Sequence, residues 1–309
     1  MNKYLIFIIL LLFVKIISIK MMENHSNVNI SESFNNNKKY NNKKYNIAIM
    51  TIFKNEHYYL EEWLNHHISQ GIEHIYMYCN DPNIDNYPYL LNNKYKNFIT
   101  LIDWVNKKNN GSATIQRQAY THCVKTYSNN CQFILMLDID EFIIPIKNYN
   151  SVAEYIYSLK SNWDSIKAFK IQRYDFGSNG HIQKPDGPVV SNYFLHEKTC
   201  ATYKTMANTD YVNKNAHFFG VHDFNFIDLN GKVFNEYFGY HETGYPNGCK
   251  DDSINEIPLV INHYYTKSYE EYISRCKMWE NGGINPINYR IDCEKKFKSR
   301  DVNDVKGYD

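Results

Sequence analysis

Residues 132–139, QFILMLDI, form an almost unbroken apolar run that leads into two aspartates, Asp138 and Asp140. A run of this length without polar alternation suits a strand covered on both faces, at the centre of a layered α/β sheet. Upstream, residues 46–53 (NIAIMTIF) read as a strand. Leu60, Trp63, Leu64, His67 and Ile68 then recur at helical spacing, and Gly71 sits where that helix would stop. Further strands are expected at 74–78 and 98–104, followed by a helix carrying Ile115, Ala119, His122 and Cys123. Strands alternating with helices predict an α/β fold with a parallel, doubly wound sheet.

The second half changes character. Residues 168–174 and 189–195 read as strands joined by a glycine-rich loop at 177–187. Asn230-Gly231 between two apolar stretches is a hairpin signal. Residues 257–265 give another strand, and Tyr269, Tyr272, Ile273 and Cys276 mark one stripe of a closing helix. The expectation is one domain over 46–285, with a more antiparallel C-terminal half and a tail at 286–309.

Composition removes several classes. A net charge of +1 leaves no electrostatic footprint for nucleic acid, and 43% hydrophobic content with 28 Tyr and 17 Phe argues against disorder of the whole chain. Seven cysteines without a C-x-x-C pair argue against a structural zinc site.

The first 20 residues carry Lys3 and an apolar run over 4–14 that resumes after Lys15. This pattern fits a signal-anchor of a single-pass type II membrane protein with a luminal domain, or a cleaved signal on a secreted one. Residues 21–45 are a polar, low-complexity stretch that reads as a stalk. Sequons begin at Asn24, Asn29 and Asn110.

The chemistry centres on Asp138-Ile139-Asp140-Glu141-Phe142. If the strand continued through them, both aspartates would face one way and share one ion. Carboxylates at the carboxyl end of a central strand suit Mn²⁺ or Mg²⁺, which can neutralise a diphosphate leaving group. Lys54-Asn55-Glu56 closes the first strand, where such folds hold a nucleotide, although Asn55 could equally cap the next helix. His263 could complete the metal shell, and Lys267 could meet phosphate charge.

Taken together, several segments resemble glycosyltransferase family 92 and related family-2-like transferases. They are TIFKNE at 51–56, LEEW at 60–63, His66-His67, GIEHIY at 71–76, QRQAYTHC at 116–123, LDIDEF at 137–142, FGSNGH at 176–181, and Asn262-His263-Tyr264 with Lys267-Ser268. The resemblance runs from about residue 46 to 283. It implies a GT-A-like fold and a metal-dependent, inverting glycosyltransferase. The donor would be a nucleotide-sugar, a UDP-sugar such as UDP-galactose, and the acceptor a glycan or glycoprotein.

By the same resemblance, Lys54, Asn55, Glu56, Arg117, Asp138 and Lys267 would contact the donor. Asp138, Asp140 and His263 would hold the metal. Phe176, Gly177, Ser178 and His181 would border the acceptor. Tyr78-Cys79-Asn80-Asp81-Pro82 departs from the family pattern after the second strand, and the segment 204–222 matches loosely. An inverting displacement also needs a base, for which Glu242 is preferred over Asp223, Asp251 and Asp252. The competing readings are a degenerate GT-A-like sugar- or nucleotide-binding protein without turnover, and a phosphotransferase that uses the same carboxylates.

Overall fold

The computed structural model describes residues 43–91, 94–105, 114–146, 148–198, 202–215, 222–227, 233–234, 258–280, 286–302 and 305–306. In chain order the strands are β1 (Tyr45–Phe53), β2 (His74–Cys79), β3 (Ile99–Asp103), β4 (Cys131–Met136), β5 (Glu141–Pro145) and β6 (Ala168–Asp175). They continue as β7 (Leu195–His196), β8 (Thr202–Asn208), β9 (Phe226–Ile227), β10 (Val233–Phe234), β11 (Leu259–His263) and β12 (Val305–Lys306). The main helices are α1 (Leu60–Ser69), α2 (Ile115–Tyr127), α3 (Val152–Ser158), α4 (Val189–Asn192), α5 (Tyr269–Glu280) and α6 (Pro286–Arg300).

Eight strands form one sheet in the order β3-β2-β1-β4-β8-β6-β11-β5. The first four are parallel, as the alternation of strands and helices predicts. β8 runs against both β4 and β6, β11 is parallel to β6, and β5 is antiparallel to β11. This mixed α/β sheet flanked by helices has the GT-A-like character that the resemblance implies.

Alternation along β1 and β4 sends Ala48, Met50, Ile134 and Met136 into a core with Ala119, Tyr120, Cys123 and Val124 of α2. From the opposite set of residues, Phe133 meets the Trp163 ring edge-on at 5.3 Å. Large apolar side chains such as Met50, Ile134 and Phe133 each contribute about 1.5–3 kcal/mol on burial. Gly71 ends α1 with φ of +80°, and a Cβ there would lie 2.4 Å from that of Ala153. Only glycine permits both the turn and the approach of α3.

Two expectations change. Residues 189–195 are not one strand: α4 occupies Val189–Asn192, and only Leu195–His196 extends. Pro188 sets the entry conformation, and the Glu62 carboxylate of α1 accepts the Val189 and Val190 N–H groups at 2.9 and 3.4 Å. Residues 286–309, read as a tail, carry α6, joined to α5 by the Cys276–Cys293 disulfide. Phe297, one helical turn after Cys293, packs edge-on against Tyr269 and Tyr272. The hairpin strands β9 and β10 do pair, while the Asn230-Gly231 turn between them lies outside the described residues. So does the N-terminal segment 1–42; among the described residues no helix is long and apolar enough to cross a membrane.

Candidate active site

β1, β2, β3, β4, β6 and β11 run in one direction, with β5 and β8 opposed. The carboxyl ends of the first group therefore meet the amino ends of the second along one edge of the sheet. That edge holds a cleft of ≈ 960 Å³ whose walls include Lys54, Asp138, Asp140, Asp175, His263 and Arg275.

The two aspartates do not continue β4. Its pairing with β1 ends at Met50↔Met136, Leu137 donates to the Met50 carbonyl at 3.2 Å, and the chain then turns. The Glu141 N–H closes the turn on the Asp138 carbonyl at 3.1 Å. Strand alternation therefore does not apply, and the two carboxylates take different partners. Helix α1 holds the turn: the Trp63 indole donates to the Asp138 and Glu141 carbonyls at 3.1 and 2.8 Å. Its neighbour His67 has Nδ1 2.8 Å from the Trp63 carbonyl and accepts the Ile143 N–H on Nε2 at 3.4 Å. Burial keeps the His67 ring neutral, with its pKa well below the usual range.

Asp138 faces β8. Lys204, 0% exposed, lies 2.8 Å from Asp138 Oδ2 and 3.0 Å from Glu141 Oε2. Gln116 and Tyr120 of α2 donate to Asp138 Oδ1 at 2.8 and 3.3 Å. Burial would depress the Lys204 ammonium, but the Asp138 and Glu141 carboxylates outweigh it and raise its pKa. Arg173 completes the row, 3.2 Å from Glu141 and 3.4 Å from Asp175.

Asp140 faces the other way. Its Oδ1 is 3.5 Å from His263 Nε2, and its Oδ2 is 3.3 Å from Arg275 of α5. His263 Nδ1 in turn lies 2.6 Å from Asp175 Oδ1. Burial opposes ionisation of Asp140, yet His263, Arg275 and Lys267 hold its pKa far below the carboxylate range. Burial likewise lowers His263, but Asp140 and Asp175 prevail and push its pKa up to about 9.

The donor chemistry fits a divalent cation at Asp140 and His263. A carboxylate and an imidazole nitrogen face each other across 3.5 Å, and Asp175 orients the ring from behind, as carboxylates do for metal-binding histidines. Among the described residues no three His, Cys, Asp or Glu side chains converge as a metal cage. Two protein donors with the remainder from phosphate and water is the usual arrangement for Mg²⁺-type sites. Both Asp138 oxygens are already engaged by Lys204, Gln116 and Tyr120.

The other sequence-selected residues spread around this centre. Asn55 takes the left-handed conformation, φ 59°, and donates its N–H to Asp81 at 3.0 Å; the helix cap is Tyr59, not Asn55. Asp81 also accepts from the Tyr87 hydroxyl at 2.8 Å and the Asn83 N–H at 3.0 Å, so the segment that departs from the family pattern anchors the Lys54-Asn55-Glu56 loop. Lys54 and Glu56 line the main cleft. Asn55 and Lys267 line a neighbouring cleft of ≈ 740 Å³.

Arg117 sits in the first turn of α2, but the residue of that turn that reaches Asp138 is Gln116. Phe176, Gly177 and Ser178 are buried and form no wall of either cleft. His181 is half-buried with its ring against Tyr193. Glu242, Asp251 and Asp252 lie outside the described residues. Asp223 spends its oxygens on the Tyr203 and Thr205 hydroxyls, both at 2.7 Å.

Sequence reasoning assigns no site role to Gln116 or Glu141, which it quotes only within motifs, and passes over Arg173, Asp175, Lys204, Arg275 and Arg300. The available signal is a charge within a strand-length segment, as at Lys204 between Tyr203 and Thr205.

Comparison with known proteins agrees with this geometry. Residues 43–281 match the glycosyltransferase family 92 domain. A family 92 protein of rice (Oryza sativa subsp. japonica) is 22% identical over 241 residues, covering 76% of this chain and 36% of the relative. One of Arabidopsis thaliana is 20% identical over 282 residues, covering 87% of this chain and 43% of the relative. The chain thus spans less than half the length of these relatives, and the family match contains all eight strands of the main sheet. It belongs to glycosyltransferase family 92.

Proposed function

We propose that this chain is a metal-dependent, inverting glycosyltransferase that moves a sugar from a nucleotide-sugar, a UDP-sugar such as UDP-galactose, to a hydroxyl of a glycan or glycoprotein. The observation that carries this reading is the Asp140–His263–Asp175 arrangement opening into a large cleft at the carboxyl edge of the parallel strands. Ligands of open α/β sheets bind at that edge.

Asp140 and His263 would hold Mn²⁺ or Mg²⁺, which when bound supplies positive charge to the leaving diphosphate. Lys54 and Arg275, on the cleft wall, add fixed positive charge for the same phosphates, with Lys267 close by. Asp138 is held by Lys204, Gln116 and Tyr120 in a single orientation from which its remaining acceptor capacity can meet a donor hydroxyl. Lys54, Asn55 and Arg117 border the nucleotide. Residues 176–181 support the acceptor side from beneath. The acceptor attacks C1 opposite the diphosphate, which inverts the anomeric centre.

The intramolecular disulfide supports folding in an oxidising compartment, in keeping with a type II anchor and luminal domain, or with secretion after signal cleavage. A degenerate nucleotide-binding protein is the second reading, favoured by the cations already set against both aspartates, Lys204 on Asp138 and Arg275 on Asp140.

A donor screen decides between the two. Release of one nucleotide from one nucleotide-sugar, dependent on Mn²⁺ and abolished by chelator and by Asp140→Ala, is the expected result. Turnover retained in Asp140→Ala at matched folded fraction overturns the mechanism. Nucleotide binding without turnover of any donor establishes the binding protein.

A further inference from the structure

The two neighbouring clefts meet at a shared wall formed by Lys54, Glu56 and Arg275. Among the described residues, Glu56 is the carboxylate that lines both. The main cleft holds the aspartate turn and His263. The walls of the other include Tyr58, Tyr59, Thr266, Lys184, Glu270 and Ser274. Hydroxyl, aromatic and charged groups in that mixture suit a hydroxyl-rich ligand rather than an apolar one.

The remaining carboxylates on these walls are committed. Glu271 accepts from the Tyr193 hydroxyl at 2.9 Å and the Ser268 hydroxyl at 2.7 Å on one oxygen, and from the Tyr59 hydroxyl at 2.5 Å on the other. Glu270 accepts the Lys184 N–H at 3.0 Å. Asp138, Asp140 and Asp175 are paired as described above. The Glu56 carboxylate, by contrast, makes no hydrogen bond among the described residues, and its nearest cation is the Lys267 ammonium at 3.9 Å. Its position is nevertheless defined. The Glu56 N–H donates to the Tyr87 hydroxyl at 3.0 Å, and its carbonyl accepts from Tyr59 and Leu60. Lys267 opposite adopts a left-handed backbone, φ 51°, a conformation that a long side chain takes only where its surroundings impose it.

We infer that Glu56 is the general base of the transfer reaction and that the acceptor sugar reaches it through the cleft of Tyr58, Lys184 and Lys267. This rests on the transferase reading above. The Glu56 carboxylate takes the proton of the acceptor hydroxyl, the acceptor oxygen forms its bond to C1, and the C1–O bond to phosphate breaks with its electron pair leaving on the nucleoside diphosphate. Burial raises the Glu56 pKa against the opposing Lys267 charge, with Asp140 raising it, Arg275 lowering it and Asp138 raising it in turn, which suits a proton acceptor.

The test uses the full chain and its Glu56→Gln variant with UDP-galactose, Mn²⁺ and a mixture of galactose-, fucose- and N-acetylglucosamine-terminated oligosaccharides. Two controls report folding and donor binding: UDP affinity by calorimetry, and UDP release driven by azide, an anionic nucleophile with no proton to remove. Glu56→Gln is expected to lose oligosaccharide transfer by about 10²–10⁴-fold, the range for a lost general base, while UDP affinity and azide-driven release stay within about threefold. Oligosaccharide transfer within about tenfold of the parent chain overturns the assignment. A parallel loss of UDP affinity and azide-driven release also overturns it, making Glu56 a donor-binding residue. A parent chain that binds UDP but turns over no donor removes the transferase reading and the base together.

Discussion

The two halves of the sheet are built on different principles. In the parallel half, β1, β2 and β4 bury mostly apolar side chains, with Ile47, Ile49, Ile75, Ile134 and Leu135 all at 0% exposure, so that half coheres by excluding water. In the mixed half, β5, β6, β8 and β11 carry Glu141, Arg173, Asp175, Lys204 and His263 into the interior, each against an opposite charge. Apolar packing tolerates substitution by degrees, whereas a buried charge network fails when one partner is removed. The difference assigns stability to the first half and chemistry to the second, and it can be broken in either.

The largest effect is expected from Lys204→Met. It leaves Glu141 buried with one fewer cation and Asp138 held by Gln116 and Tyr120 alone, at a cost of about 3–5 kcal/mol in urea unfolding, together with loss of nucleotide turnover. A cost under about 1 kcal/mol would mean that the network can be replaced by packing. Leu135→Ala in the parallel half is expected to cost about 2–5 kcal/mol through the cavity it leaves. UDP affinity per folded molecule should be unchanged, and a large drop in affinity would refute the division between the halves.

The Cys276→Ser/Cys293→Ser pair opens the link between α5 and α6, which spans 17 residues, and should cost about 3 kcal/mol by thermal unfolding. It should also weaken UDP binding, because α5 carries Arg275 and α6 ends at Arg300. The smallest effect is expected from Arg300→Ala. That side chain is 55% exposed and 3.4 Å from Asp175, so its loss should change stability by no more than about 1 kcal/mol. A greater loss would show that Asp175 depends on it.

Much of the parallel half was legible in the sequence, because each strand there is an apolar run or half-buried stretch of strand length and the helices repeat at their own period. The predicted limits 46–53 and 74–78 differ by one residue from β1 and β2. The resemblance at 51–56, 60–76, 116–123 and 137–142 likewise holds, since the family 92 match covers all of it. Legibility fell where a local pattern met a distant partner. Val189 and Val190 carry strand-forming side chains, but Glu62 across the fold supplies the acceptors that let their N–H groups start a helical turn. Asp138 and Asp140 looked like neighbours on one strand face, and the end of pairing at Met136 turned them to different partners. The C-terminal segment reads as polar on average, which hides the Cys293 and Phe297 stripe that seats α6.

By itself, then, the sequence determined the α/β class, the order of most elements, the family and the motif at which the chemistry is centred. These depend on local periodicity and short contiguous motifs, which survive in one dimension. The tertiary structure alone decided which cations meet which carboxylates: Lys204 from β8 on Asp138, Arg275 from α5 on Asp140, and Asp175 from β6 behind His263. It also left the Glu56 carboxylate without a hydrogen bond among the described residues, where two clefts meet. Pairings across 66, 88 and 135 residues of chain follow from strand order and direction, and no local pattern encodes them.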